Sequence, residues 1–150
     1  MASFKVLSCN HSGFTVSDLG ATVRFFVDAL GYELLDRAPR NPLNTARLTG
    51  TTDVELEVAY MRFGNQTVEF LDYRLPDRQV ATVRPVDVGA SHLALKVDDL
   101  DAAVEACRTT GGSMVGTTIM VDKGPNAGSR ICYVSMQNGT TLELVEAGAA

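Results

Sequence analysis

The sequence predicts an α+β fold made of two tandem βαβββ modules, which together form a curved mixed sheet around a shared cleft. Two internal matches carry this prediction. The segment NHSGFTVSDL, which begins at Asn10, returns 81 residues later as SHLALKVDDL at Ser91. The segment GNQTVEFL, which begins at Gly64, returns 74 residues later as NGTTLELV at Asn138. A repeat of this kind indicates a duplicated structural unit, so each half should contain the same elements in the same order.

The first module is predicted to span about residues 6–75 and to consist of a strand, a helix and three further strands. Asp18 is a typical N-cap residue ahead of the helical pattern LGATVRFFVDAL, and Gly31 is a typical helix stop. Alternating patterns then predict the strands YELLDRA, VELEVAYMRF and QTVEFLDY. The last two strands meet at Gly64-Asn65, which favours a two-residue hairpin turn. Residues 39–53, between the first and second of these three strands, are expected to form a loop.

The second module is predicted to span about residues 89–147 and to repeat this order after a linker at about residues 76–88. Asp99 caps the helical pattern LDAAVEACRTT, and the strands SMVGTTIMV, SRICYVSMQ and TTLELVEA follow it. The last two strands meet at Asn138-Gly139. The two modules together would form a single domain of 1–150, because a chain of 150 residues with 45% hydrophobic content can bury one sizeable core.

Strand alternation places the two histidines of the chain on equivalent faces. In the first strand Phe14 and Val16 face the helix, while His11 lies on the opposite face with Cys9, Gly13 and Thr15. In the fifth strand His92 likewise lies opposite the helix-facing residues, on one face with Ala94 and Lys96. A small residue stands two positions after each histidine, so both faces should leave space above the sheet.

Counting outward from the two predicted turns adds a glutamate to each of these faces. The turn at Gly64-Asn65 pairs Tyr60 with Glu69, and the turn at Asn138-Gly139 pairs Val134 with Glu143. The same count places Cys132 on the face of Glu143. Each module is therefore expected to contribute one His and one Glu to the cleft.

Two imidazoles and two carboxylates form a ligand set that suits a divalent metal ion such as Mn, Fe, Co, Ni, Zn or Mg. The predicted ligands are His11, Glu69, His92 and Glu143. Four protein ligands would leave an octahedral ion two positions for substrate oxygens or water. A single His or Glu in a strand is more often an ordinary hydrogen-bonded polar group. A metal ion that only stabilises the fold is a further alternative. Occupation of all four matched positions favours the metal site.

Composition excludes several classes of function. The net charge of -5 is spread without a run of like charges, so neither nucleic acid nor an anionic membrane surface is an expected partner. The N-terminal residues lack the apolar core of a signal peptide, and no apolar run is long enough to span a membrane. The three cysteines have no CxxC spacing. These features predict a cytoplasmic protein that acts on a small molecule.

At these residues the chain resembles the vicinal oxygen chelate superfamily, which includes glyoxalase I, methylmalonyl-CoA epimerase, extradiol dioxygenases, fosfomycin-resistance transferases and bleomycin-binding proteins. The resemblance covers nearly the whole chain and rests on four segments in this order: NHSGFTVSDL, QTVEFLDY, SHLALKVDDL and TLELVE. The four predicted metal ligands match those of the glyoxalase I and methylmalonyl-CoA epimerase type. The resemblance thus implies an isomerase, epimerase or lyase in which Glu143 or Glu69 moves a proton next to a metal-bound carbonyl or thioester.

Two other functions within this superfamily remain alternatives. An extradiol dioxygenase would use two His and one Glu to hold Fe(II), and an antibiotic-binding resistance protein would bind its ligand without turnover. Thr15 stands where glyoxalase I enzymes of this type commonly carry an arginine that helps to hold glutathione, which argues against a glutathione thioester substrate. Family members often form dimers, and we expect a homodimer.

Four further residues are candidates for substrate contacts. Tyr60 lies opposite Glu69, Lys96 shares the face of His92, and Lys123 and Arg130 flank the loop DKGPNAGSR, which could cover the site. Each has a simpler alternative: a cross-strand aromatic for Tyr60, a solvated strand-end lysine for Lys96, and a connecting loop for the last two.

Overall fold

The computed structural model describes residues 4–80 and 83–147, and the chain forms two compact units, Met1–Arg78 and Gln79–Ala150. Each unit contains a sheet of its own with helix packed against it. The α+β class predicted from the internal repeat is therefore confirmed. Within the described parts of the chain, no helix is long and apolar enough to cross a membrane.

The first unit contains a four-stranded mixed sheet in the order β1-β4-β3-β2. Strand β1 runs parallel to β4, and the other neighbours are antiparallel. The elements of this unit are β1 (Ser12–Thr15), α1 (Leu19–Asp28), β2 (Glu33–Pro39), α2 (Pro42–Thr49), β3 (Glu55–Phe63) and β4 (Gln66–Arg74).

Helix α1 covers one face of this sheet and leaves the other face free for polar residues. It starts at Asp18, whose carboxylate accepts a hydrogen bond from the Ala21 N–H, as the sequence predicts. Such an N-cap stabilises a helix by about 1 kcal/mol. The ring of Phe26 packs against Phe70 of β4, with 4.6 Å between the ring centroids, and both side chains are fully buried.

Helix α2 corrects the prediction of a loop over residues 39–53. Asn41 caps this helix by accepting from the Asn44 N–H, Pro42 occupies its first turn, and Gly50 ends it with a φ of 70°. The sequence pattern concealed the helix because Thr45 is its one buried residue, so there is hardly an apolar stripe to detect. The proline also suggested a loop, although proline is favoured at the first helical position.

The second unit repeats the topology of the first, with the strand order β5-β9-β8-β6 and β5 parallel to β9. The strand predicted from SMVGTTIMV is interrupted around Gly116, and its two pieces both pair with β8. The elements of this unit are β5 (Leu93–Val97), α3 (Leu100–Thr109), β6 (Ser113–Met114), β7 (Ile119–Met120), β8 (Arg130–Ser135) and β9 (Thr141–Glu146).

The register between β8 and β9 differs by one residue from the prediction. The Met136 N–H donates to the Thr140 carbonyl, so the hairpin loop holds three residues and ends at Gly139 with a φ of 95°. A three-residue loop with a glycine in this conformation is a common hairpin connection. Tyr133, and not Val134, therefore pairs with Glu143. A slip of one residue moves every side chain to the other face, so Cys132 is buried on the side away from Glu143.

Candidate functional site

In the first unit a histidine and a glutamate meet at the start of β1. The Nε2 atom of His11 lies 3.1 Å from Oε2 of Glu69, and the two side chains are 29% and 14% exposed. Gly13 pairs with Glu69 across β1 and β4. A Cβ atom at position 13 would lie 3.5 Å from the Glu69 carboxylate, so the glycine keeps the space beside the pair open.

The second unit repeats this pair with the same interatomic distance. The Nε2 atom of His92 lies 3.1 Å from Oε2 of Glu143, with exposures of 42% and 15%. Ala94 occupies the place of Gly13 and pairs with Glu143. Both carboxylates are mostly covered while both imidazoles stay accessible, so a small ligand can reach each pair.

Each pair is bordered by a tyrosine from the neighbouring strand. Tyr60 pairs with Glu69 across β3 and β4, and its ring contacts His11 edge to face at a centroid distance of 5.4 Å. Tyr133 pairs with Glu143 across β8 and β9, and its ring lies 5.2 Å from that of His92. Tyr133 was not predicted as a site residue, because the expected register differs by one residue from the observed one. The presence of Tyr60 in the first half was the signal that could have found it.

The two tyrosines differ in how they interact with the carboxylate. Hydrogen bonding to the Glu69 carboxylate is the main cause of the raised pKa of Tyr60, followed by burial. The pKa of Tyr133 is raised mainly by burial and then by the negative charge of Glu143. Both phenols therefore keep their protons at neutral pH, and Glu69 is the leading influence on the pKa of Tyr60, whereas burial is the leading influence on the pKa of Tyr133.

The contact between Asn10 and His11 tests whether this pair suits a cation. The amide oxygen of Asn10 lies 2.6 Å from Nδ1 of His11, and an oxygen of this kind can only accept, so Nδ1 carries the proton. A neutral imidazole then presents the lone pair of Nε2 to the Glu69 carboxylate. Two acceptors at 3.1 Å need a cation between them, either a proton or a metal ion.

The distances also fit adjacent ligands of one ion. Ligand atoms at about 2.1 Å from a metal and at right angles to each other stand about 3 Å apart, and both pairs show 3.1 Å. Among the described residues, no group of three or more His, Cys, Asp or Glu side chains lies close enough together to hold a metal ion, so the four predicted ligands form two separate pairs. Each unit thus brings one histidine nitrogen and one glutamate oxygen together.

A polar cavity adjoins the pair in the first unit. It has a volume of about 420 Å³ and is lined by the segment around His11, including Asn10 and Cys9, and by the β3–β4 turn around Gln66. Cys9 is exposed there, whereas the sequence placed it on the face of His11 within a strand. Strand β1 begins after it, at Ser12.

Of the remaining predicted site residues, two lysines are exposed and one arginine forms ion pairs. Lys96 is exposed on the face of Ala94, and Lys123 is exposed in the loop between β7 and β8. The guanidinium of Arg130 binds Asp101 at 3.0 Å and Glu146 at 3.3 Å. The side chain thus joins α3 to β9, and its contact with a substrate anion stays a prediction.

Comparison with known proteins identifies the family. Residues 10–133 match the Glyoxalase/Bleomycin resistance protein/Dioxygenase superfamily. The chain belongs to this superfamily. The resemblance to vicinal oxygen chelate proteins that the sequence motifs suggested is thereby confirmed.

Individual relatives are named as enzymes. The chain is 33% identical over 144 residues to a 2-epi-5-epi-valiolone epimerase from Actinomyces sp, an alignment that covers 93% of this chain and 79% of the relative. It is 28% identical over 144 residues to the lactoylglutathione lyase of Salmonella typhimurium, which covers 91% and 90% of the two chains. A glyoxalase family protein from Bacillus cereus has a similar structure, with a TM-score of 0.81, 25% identity and coverage of 99% of both chains.

Proposed function

We propose that this superfamily member is a divalent-metal-dependent epimerase or isomerase that moves a proton at the carbon next to a substrate carbonyl. The observation that carries this proposal is the repeated pair: each unit presents a histidine nitrogen 3.1 Å from a glutamate oxygen. The same polar contact is kept in both units, which favours a functional role for the two pairs over a purely structural one.

In this proposal His11, Glu69, His92 and Glu143 hold one divalent ion. The bound ion would supply Lewis acidity toward a carbonyl oxygen of the substrate. The hydrogen bond from His11 Nδ1 to Asn10 fixes the tautomer that leaves Nε2 free to bind a metal. The identity of the metal is open among Mn, Fe, Co, Ni, Zn and Mg, because all of them accept imidazole or carboxylate ligands.

A glutamate carboxylate is the proposed base. It takes the proton from the carbon beside the carbonyl, and the electrons of that bond move toward the carbonyl oxygen. A second group, the other glutamate or a water molecule, then donates a proton to the opposite face of the same carbon, and the first carboxylate releases its proton to solvent. Glu143 and Glu69 are the candidates for this role. The pKa of Tyr60 responds most strongly to Glu69, and this interaction favours Glu143 as the base that moves.

Two features favour epimerisation over a glutathione-dependent lyase reaction. The relative named as an epimerase reaches 33% identity over most of both chains, and the relative named as a lyase reaches 28%. Thr15 also occupies the position where the resemblance to glyoxalase I leads us to expect an arginine. We therefore propose a small hydroxylated ketone as the substrate class, in place of a glutathione adduct.

The experiment begins with metal analysis of the purified protein. The metal-loaded protein is then incubated in deuterium oxide with α-hydroxy ketones, acyl-CoA thioesters and hemithioacetals, and deuterium at the carbon beside the carbonyl is measured by NMR. Exchange into the hydroxy ketones supports the proposal. Oxygen uptake with a catechol would instead support the dioxygenase alternative, and tight binding of an antibiotic that survives metal removal would support the resistance-protein alternative.

A glutamate variant tests whether Glu143 is required for exchange. Glu143→Gln is expected to lower the exchange rate at least about a hundredfold, since general base catalysis contributes about 100- to 10,000-fold. Glu105→Gln on the exposed surface of α3 is the matched control and should keep the wild-type rate. Full metal content together with full exchange in the Glu143 variant would show that this carboxylate is not the base.

We also propose that the protein is a homodimer. The ligands of one ion could come from one chain or from two. Mixing an inactive His11 variant with an inactive His92 variant distinguishes these arrangements. Recovery of activity on mixing indicates a site shared between chains, and lasting inactivity indicates a site within one chain.

A further inference from the structure

The second unit contains an apolar cavity of about 380 Å³ next to the pair formed by His92 and Glu143. Tyr133 connects the two, because it lines the cavity and its ring lies 5.2 Å from that of His92. Pockets for small molecules usually have volumes of about 300–1,000 Å³. The cavity is therefore large enough for a ligand group of several carbon atoms.

The cavity opens on the same face of the sheet as Glu143. Ile131 and Tyr133 stand two positions apart on β8, so their side chains share one face. Their partners on β9 are Val145 and Glu143. A molecule held near Glu143 could thus extend along this face into the cavity without crossing the sheet.

The wall of the cavity is almost entirely apolar. Pro85, Val86, Val115, Ile119 and Ile131 line it, and three of these side chains are exposed although they are hydrophobic. Hydroxyl groups placed against this wall would exchange hydrogen bonds with water for apolar contacts, which is unfavourable.

The charged residue at the rim is already neutralised. Arg84 donates to both carboxylate oxygens of Asp87, at 3.0 Å and 2.7 Å. The cavity therefore does not offer this guanidinium to an anionic ligand group.

Backbone pairing fixes the wall in place. The Val115 N–H donates to the Tyr133 carbonyl at 3.0 Å, and Ile119 pairs with Ile131 between β7 and β8. Because both segments are tied to β8, the cavity is formed before any ligand arrives, and binding costs little ordering of the chain.

We propose that this apolar cavity binds a hydrocarbon substituent of the substrate, while the oxygens of the same molecule lie at the His92–Glu143 pair. The inference rests on the proposed function, since it takes the reacting carbonyl group to lie beside Glu143. It narrows the substrate class to hydroxy ketones that carry an alkyl or aryl group, as opposed to fully hydroxylated ones.

The test measures binding to the metal-loaded protein along a series of 1-hydroxy-2-alkanones, from hydroxyacetone to 1-hydroxy-2-hexanone. Each added methylene should lower Kd about three- to fourfold, because that is the effect of burying one methylene group. Val115→Phe fills the cavity and should raise Kd for the hexanone about tenfold or more while leaving hydroxyacetone within about twofold. Val27→Phe, on the exposed side of α1, is the matched control and should bind like the wild type.

A second variant covers the case in which the phenylalanine disturbs folding. Val115→Thr keeps the shape of the side chain and should weaken binding of the hexanone about threefold. Equal Kd values along the whole series in the wild type, or equal effects of the Val115 and Val27 variants, would overturn the inference. Chain-length dependence without deuterium exchange would contradict the proposed function and leave the cavity assignment in place.

Discussion

Tyr60 and Glu69 face each other across β3 and β4, and the interaction with Glu69 is the main cause of the raised pKa of Tyr60. The same phenol ring contacts the imidazole of His11. A single side chain thereby contacts both proposed metal ligands of the first unit. In the second unit the ring of Tyr133 contacts His92, but burial and not Glu143 is the main cause of its raised pKa. We therefore expect the replacement of tyrosine by phenylalanine to have unequal effects in the two units.

Tyr60→Phe removes the hydroxyl and keeps the ring. We expect the affinity for Co²⁺ or Zn²⁺ to fall about tenfold, since residues that orient metal ligands typically contribute about 10- to 100-fold. Tyr133→Phe is the matched variant and should lower the affinity less than about threefold, because the pKa of Tyr133 is raised by burial before any influence of Glu143. The measurement is a competition titration against a chromogenic chelator. Equal losses in the two variants would show that the hydroxyl does not hold Glu69.

Arg78 joins the segment between β1 and α1 to β4 and should be important for stability. Its guanidinium donates to the Val16 carbonyl at 2.6 Å, to the Tyr73 carbonyl at 2.7 Å and to Asp72 at 2.9 Å. Asp72 is 6% exposed, so loss of this partner leaves a buried carboxylate poorly paired. We expect Arg78→Ala to lower the free energy of unfolding by about 2–4 kcal/mol.

Arg74 provides the comparison for this substitution. It also contacts Asp72, at 3.0 Å, but its side chain is 56% exposed. Urea denaturation should therefore show a smaller loss for Arg74→Ala than for Arg78→Ala. The reverse order would mean that the buried network does not depend on the bonds of Arg78 to the backbone.

The raised pKa of the buried Cys107 thiol leads us to expect a loss of stability at alkaline pH. Burial raises the pKa of its thiol to about 11, from an ordinary value of 9.0. Below pH 9 the thiol is protonated in both states and this contribution to stability is complete. Between pH 9 and 11 the unfolded chain ionises first, so up to about 2–3 kcal/mol is lost as pH rises through the folded pKa.

Cys107→Ala separates this effect from the titration of other groups. The difference in unfolding free energy between wild type and variant should shrink as pH rises from 8.5 to 11, by about 2–3 kcal/mol. A constant difference over this range would contradict the assigned pKa shift. Alkylation gives an independent check, because exposed Cys9 should react with iodoacetamide long before buried Cys107 and Cys132.

The sequence predicted the strand pairing at the first hairpin correctly and that at the second hairpin incorrectly, and the turns explain why. Gly64-Asn65 forms the two-residue turn that was expected, so counting outward placed Tyr60 opposite Glu69 correctly. The Asn138-Gly139 pair belongs to a three-residue loop, which is closed by the hydrogen bond from the Met136 N–H to the Thr140 carbonyl. The dipeptide alone does not distinguish a two-residue turn from a three-residue loop. As a result, Val134 was predicted to pair with Glu143, whereas Tyr133 does so.

Patterning also decided which elements could be found. Helices α1 and α3 begin at aspartates that cap them and carry apolar residues toward their sheets, so both were predicted. Helix α2 has no such stripe and was missed. The apolar cavity could not be predicted, because it is formed by segments far apart in sequence, around Val86, Val115 and Ile131.

The central claim is that the two His–Glu pairs serve one metal ion, and metal stoichiometry tests it most directly. The protein is dialysed against Co²⁺, and bound metal is measured for the wild type and for His11→Ala, Glu69→Gln, His92→Ala and Glu143→Gln. The account predicts about one ion per chain in the wild type and a large loss of metal in each variant, since removal of one ligand weakens the whole site. Two ions per chain, with each variant losing only the ion of its own unit, would contradict it.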